Sequence, residues 1–337
     1  MPRLLLVGDP HVTVEEMPDC QKLIDYTLKV AIEQKVDRVV FMGDLYHTHA
    51  LVHTGVMEFW RNAFAQFKAK RFKVGVLLGN HDQPGNSEST SHALLAHSGA
   101  ANVDVWDTPE MEADFGYIPY CHTPDHFVKT AKQLADGGAK TILCHQTFAG
   151  SVYENGFFAK DGVNPDELPA GVQFISGHIH TPQEFGPIWY IGAPRWRTLS
   201  DANIDRNIWV IDVDGDGVVT KRTPFSMKGI CREIRYLKIQ DNEVKEGNAL
   251  TDEEGNLVST IDWRIDSYGS VQHNDQLKKE FARPGVKIRC FNTDVSKVTV
   301  KESDGIDNAF MGFMGTFKPK HGTPTDKLAS MFKERFQ

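Results

Sequence analysis

Two rhythms of apolar residues alternate along the first half of the chain. Residues 4–7, 38–42 and 73–78 are short runs rich in Leu, Val and Phe, as expected of strands buried on both faces. Between them, side chains recur three and four apart. Leu23, Ile24, Thr27, Leu28 and Ala31 do so within 20–35, and Met57, Trp60, Phe64 and Phe67 within Thr54–Ala69. Strand, helix and strand in this order predict a doubly wound βαβ unit. Later runs at 141–144, 174–176, 188–191 and 208–213 predict a second sheet that completes a sandwich. No internal repeat or low-complexity tract interrupts the pattern.

After about Phe225 the rhythm changes. Residues 232–239 alternate as a strand, a loop rich in Glu, Asn and Gly follows, and a short polar helix near 274–281 leads to a strand at 286–291. Near the end, Thr325-Asp326 after Pro324 marks a helix start. Leu328, Met331, Phe332 and Phe336 then fall on one face of an amphipathic helix. The expected organisation is a large domain over 1–225, a small α/β accessory module over 226–303 and a helical tail over 304–337.

Composition narrows the class. The 337 residues are 40% apolar and 24% charged, enough for a sizeable core and a hydrated surface. No run approaches the roughly 18 apolar residues of a membrane span. The apolar start is too short for a secretory leader and runs straight into Gly8-Asp9. Five widely spaced cysteines without a C-x-x-C pair fit free thiols, and hence a cytoplasmic protein. A net charge of −8 argues against general affinity for nucleic acid, though not against local basic patches. Asp212-Val213-Asp214-Gly215-Asp216-Gly217 opens like a calcium loop. Its twelfth position is Thr223 instead of a bidentate Glu, so a hairpin turn is expected there.

The chemistry sits in five motifs, each directly after a strand run. They are Gly8-Asp9-Pro10-His11, Gly43-Asp44, Gly79-Asn80-His81-Asp82, His145 in Leu143-Cys144-His145, and Gly177-His178-Ile179-His180. Open α/β sheets place ligands at the carboxyl ends of their strands. Asp, Asn and His side chains arriving there from five loops suit borderline-hard divalent cations such as Mn²⁺, Fe²⁺ or Zn²⁺. Two such ions can clamp a phosphate, acidify a water and neutralise a leaving oxygen. A carboxylate offers the two oxygens that a bridge between them needs, and an imidazole can protonate the leaving group. Asp82 is the expected outer partner, because site imidazoles donate their second N–H to an acceptor.

In this order, D-x-H, G-D, G-N-H-D, H and G-H-x-H, the motifs resemble the calcineurin-like metallophosphoesterases over about residues 4–180. The resemblance implies a four-layer α/β/β/α sandwich and two divalent cations, with Mn²⁺ foremost. It places Asp9, His11 and His180 on one cation, Asn80, His145 and His178 on the other, and Asp44 between them. His81 would face the scissile phosphate. The extension Gly43-Asp44-Leu45-Tyr46-His47 resembles the SbcD-type nuclease subunit of double-strand-break repair complexes. There it implies that His47 positions a DNA strand, and that the tail binds the coiled-coil base of an SbcC-type ATPase. A homodimer is a further possible assembly. Tyr190-Ile191-Gly192-Ala193-Pro194-Arg195-Trp196 resembles the shorter, phage-type members.

Two basic groupings differ in promise. Lys68, Lys70, Arg71 and Lys73 read as a solvated surface. Arg195-Trp196-Arg197 could grip phosphates and stack a base, or Trp196 could be core. Three functions are therefore weighed: a metal-dependent DNA exonuclease/endonuclease working with an ATPase, a stand-alone phosphoesterase on a small nucleotide ester, and a binding subunit with a structural metal site.

Overall fold

The computed structural model describes residues 2–293 apart from 50, 86–90, 113, 241 and 252–255. The tail expected at 304–337 lies outside the described residues. Along the chain come β1 (Arg3–Val7), α1 (Met17–Gln34), β2 (Arg38–Phe41), α2 (Thr54–Ala69), β3 (Lys73–Leu77) and β4 (Val103–Trp106). Then follow β5 (Glu110–Glu112), β6 (Phe115–Ile118), α3 (Pro124–Asp136), β7 (Thr141–His145), β8 (Gln173–Gly177), β9 (Gln183–Phe185) and β10 (Ile188–Tyr190). After β11 (Asn207–Val213) and β12 (Val219–Ser226) come β13 (Glu233–Gln240), β14 (Glu243–Glu246), β15 (Ile261–Gly269), α4 (Val271–Glu280) and β16 (Val286–Asn292).

The strands build two six-stranded sheets, β12-β11-β1-β2-β3-β4 and β5-β6-β7-β8-β10-β9. A third sheet of four strands has the order β14-β13-β15-β16. Alternation along each strand divides the core into layers. Leu5, Val7, Val39 and Phe41 pack with Leu23, Ile24, Trp60, Phe64 and Phe67 of α1 and α2. Their neighbours Leu4, Leu6, Val40 and Met42 turn the other way and meet Tyr117, Leu143, Ile175 and Trp189 of the second sheet. Beyond that sheet, Ile142, Cys144 and Phe174 pack against Phe127, Val128 and Ala131 of α3. Helices, sheet, sheet and helix are the four expected layers.

One strand changes sheets relative to expectation. β11 joins the first sheet, antiparallel to β1 with Leu6 opposite Trp209. Its alternate side chains explain this. Ile208 and Val210 face the helix-side core, while Ile211 and Val213 face the layer between sheets. The β11–β12 hairpin replaces the calcium-loop alternative, with Asp214 Oδ1 accepting from the amides of Asp216 and Val218 at 3.0 and 2.9 Å.

The chain divides into two compact units. The first holds 1–237, 246–265 and 284–287; the second holds, among described residues, 238–245, 266–283 and 288–293. In the second, Ser270 caps α4 by accepting from His273 N at 3.1 Å, and Tyr268 stacks on Phe291 at 4.5 Å. All five cysteines are free. Among the described residues no helix is long and apolar enough to cross a membrane.

Candidate metal centre

The strand ends converge as the motif order requires. Asp9 and His11 follow β1, Asp44 follows β2, Asn80 and His81 follow β3, His145 ends β7, and His178 and His180 follow β8. β1, β2 and β3 are parallel neighbours in one sheet, as are β7 and β8 in the other. Their carboxyl ends therefore open toward one place. His11, Asp44 and His178 hold φ of 45°, 51° and 79°, in the left-handed region that side chains with a Cβ rarely adopt. Each such residue costs roughly 1–3 kcal/mol, which the surrounding fold must offset; strain of this kind gathers at working sites. Two glycines make the crowding feasible. A Cβ on Gly43 would lie 2.3 Å from His145 Nδ1, and one on Gly79 would lie 2.1 Å from Asp44 Oδ1.

Side chains meet at contact distance in this centre. Asp44 Oδ2 is 3.4 Å from His11 Nε2 and 3.3 Å from His145 Nε2. Asn80 Oδ1 is 3.0 Å from His145 Nε2 and 2.8 Å from His178 Nδ1. The Nε2 atoms of His11 and His180 are 2.9 Å apart. Asp9 Oδ1 accepts from His178 N at 2.9 Å, whereas its buried Oδ2 has no protein partner. Ligand-type atoms of Asp44, His145 and His178 cluster together, as do those of Asp9, His11 and Asp44 and those of His11, His47 and His81.

The electrostatics describe a site short of positive charge. Burial holds His11 well below its usual range, and burial plus the charge on His145 takes His178 down to about 3. Burial would lower His145 too. The Asp44 carboxylate, Asp9 and the Met42 carbonyl outweigh it and lift His145 to about 9. Burial would raise Asp44, but His145 and His11 hold it well below normal, while burial leaves Asp9 raised. A proton on His145 thus balances the carboxylates where cations would. The imidazoles of His11 and His178, kept neutral by burial, an orphaned carboxylate oxygen and a carboxamide oxygen are a donor set that fits divalent metal.

Outer contacts differ in one respect from expectation. His145 Nδ1 donates to Met42 O at 2.8 Å, and His81 Nδ1 to the His47 carbonyl at 2.7 Å. Asp82 holds neither imidazole. Its two oxygens accept backbone amides, Tyr46 N and Gly79 N, each at 3.0 Å, so it ties the loop after β2 to the loop after β3. A carboxylate buried between two donors in this way is a backbone brace; burial and then the Asp44 charge raise it, and the two amides oppose that rise.

His47 and His81 stand beside the cluster with rings stacked at 5.7 Å and 8°. Burial and then Arg197 lower His47; burial lowers His81. The basic trio separates. Trp196 is buried in the helix-side core and donates Nε1–H to Ile204 O at 2.9 Å, so its indole is not available to stack on a base. Arg195 is buried too, on Pro10 O at 2.8 Å and Glu16. Arg197 alone reaches the centre, 3.3 Å from His47 Nδ1. Lys68, Lys70, Arg71 and Lys73 are exposed, as expected.

Four participants escaped the sequence reading. Glu154 accepts His180 N at 3.0 Å and lies 3.3 Å from His180 Nδ1. His49 packs on His81 at 4.0 Å and meets Asn80 O at 3.0 Å. Tyr120 tilts over His178 at 5.5 Å. Arg206, fully buried, donates to His180 O and pairs with Asp201. Only His49 carried a local signal, two residues beyond His47; the others lie in segments without a motif.

Residues 2–199 match the profile of the calcineurin-like phosphoesterases, and the chain belongs to that family. It is 29% identical over 194 residues to Putative phosphoesterase 244L of Invertebrate iridescent virus 6, covering 54% of this chain and 65% of that protein. It is 25% identical over 240 residues to Exonuclease subunit 1 of Enterobacteria phage T4, covering 66% and 67%. With the DNA double-strand break repair protein Mre11 of Thermoplasma acidophilum it shares 24% over 265 residues, covering 71% and 68%. The chain thus spans 65–68% of the length of these relatives.

Proposed function

We propose that this chain hydrolyses phosphodiester bonds of DNA at a two-metal centre, as an exonuclease/endonuclease subunit in end processing, repair or recombination. Asp9, His11 and His180 would hold one cation, Asn80, His145 and His178 the second, and Asp44 both. When bound, the cations supply the Lewis-acid charge that neutralises the phosphate and acidifies the attacking water. The protein does the rest. Glu154 and Met42 O orient His180 and His145. His81, its Nδ1–H committed to the His47 carbonyl, leaves Nε2 free to take up a proton and, as the imidazolium, pass it to the leaving oxygen.

The observation that carries the choice of DNA is the pairing of His47 with Arg197 beside His81. An imidazole and a guanidinium next to the reacting phosphate suit a neighbouring phosphate of the same strand, which a small ester lacks. Relatives named as an exonuclease subunit and a break-repair protein agree with this reading. An SbcC-type ATPase is the proposed partner. The rival reading is a stand-alone phosphoesterase on a small nucleotide ester, and the iridescent-virus relative, named a putative phosphoesterase, favours it. Mn²⁺-dependent turnover of duplex DNA and of a chromogenic small diester separates the two. His47→Ala is expected to impair DNA cleavage more than diester hydrolysis; equal losses would favour the small substrate.

A further inference from the structure

Between β7 and β8, residues 149–163 form a closed, internally bonded loop. Ala149 N donates to Val163 O at 2.9 Å, Gly150 N to Ala159 O at 2.9 Å, and Ala159 N to Ser151 O at 2.7 Å. Its tip is bonded as well: Tyr153 N donates to Phe157 O and Gly156 N to Tyr153 O, both at 2.9 Å. Gln183 fastens the loop to β9, accepting from Val152 N and donating to Val152 O at 2.7 Å each. Glu154 then reaches from the tip into the metal centre to hold His180.

On this rigid frame stand two consecutive phenylalanines, Phe157 at 71% exposure and Phe158 at 66%. A single exposed apolar side chain is ordinary, but two consecutive exposed phenylalanines on a bonded loop that also supplies Glu154 to the centre are not. The exposed Lys160 follows two residues later. Phe158 lies four residues from Glu154, so it is within about 14 Å of it along the chain. At roughly 3.4 Å per stacked nucleotide, that reach covers at most about four nucleotides.

We propose that Phe157 and Phe158 are a stacking platform for unpaired bases of the DNA strand whose phosphate lies at the metal centre, with Lys160 answering its backbone. The proposal rests on the nuclease reading above. Every base has a π-face, so aromatic rings beside a cation grip a single strand without demanding a sequence. The loop is tied by its own hydrogen bonds and by Gln183, which limits the conformational freedom that binding must remove. The platform adds what the centre lacks, a hold on bases as distinct from phosphates. It selects ends that are frayed or single-stranded over fully paired ones.

The test uses the full chain in EDTA, which stops hydrolysis, and a single-stranded oligonucleotide carrying 2-aminopurine. Wild type should bind it and quench the probe. Phe157→Ala/Phe158→Ala should lose quenching and about 5- to 150-fold in affinity per stacked base. Phe157→Tyr/Phe158→Tyr should retain both, and all three proteins should hydrolyse a small chromogenic diester equally with Mn²⁺. Undiminished affinity in the alanine variant would overturn the proposal. So would a change in its oligomeric state with DNA affinity unaltered, which would assign the rings to a second copy of the chain. If wild type hydrolyses the small diester yet neither binds nor cleaves DNA, the nuclease reading fails and the platform with it.

Discussion

Replacing Asp82 by Asn keeps the shape of the side chain and removes one of its two acceptors. In the native protein Oδ1 takes Tyr46 N and Oδ2 takes Gly79 N, each at 3.0 Å. A carboxamide accepts at its oxygen only, so one buried amide would face an NH₂ group. Leaving a buried donor unsatisfied costs about 1–3 kcal/mol. For a domain of this size that corresponds to a melting temperature roughly 2–12 °C lower, measured by circular dichroism in EDTA. The damage should reach the metals as well. Tyr46 lies two residues after Asp44, and Gly79 immediately precedes Asn80, so the loops that carry both proposed ligands hang on this carboxylate. Outer-contact losses of this kind typically lower metal affinity about 10- to 100-fold. A variant that melts within about 1 °C of wild type and keeps full metal stoichiometry would refute the idea that Asp82 is the brace.

Asp44→Ala should abolish both binding of metal, by elemental analysis, and turnover of any ester; near-normal metal content would remove Asp44 from the bridging role. His81→Ser should keep the metals while slowing hydrolysis by about 10²–10⁴, the worth of one acid/base group; loss of metal instead would make His81 a ligand. Burial lowers His97 to about 4. A histidine depressed when folded favours the native state above its unfolded pKa of about 6.5, and that advantage fades as pH falls toward 4. Stability of the metal-free protein should therefore lose about 2 kcal/mol from this group between pH 7.5 and 5. His97→Phe should flatten that part of the slope, and an unchanged slope would count against the assignment.

The local elements, and the motif residues that gather at the centre, were legible in the sequence because they are local. The apolar runs of β1, β2 and β3 and the spacing of α2 follow directly from side-chain periodicity. Even α3, which went unread, was announced by Thr123-Pro124-Asp125 before Phe127, Val128 and Ala131, and Thr123 does cap it. The order of the five motifs likewise carried the family. What the sequence could not decide depends on which distant surfaces are buried together. β11 completes the first sheet because its two faces satisfy two different cores. Trp196 belongs to the core, although its neighbour Arg197 reaches the centre. Asp82 braces backbone where an imidazole partner was expected, since one of its two donors, Tyr46 N, comes from a loop 36 residues away. Glu154 and Arg206 enter the site through long-range contacts to His180, with no periodicity or spacing to mark them. Local propensity writes itself into neighbouring residues; burial and hydrogen-bond satisfaction are settled only when the whole chain has closed around them.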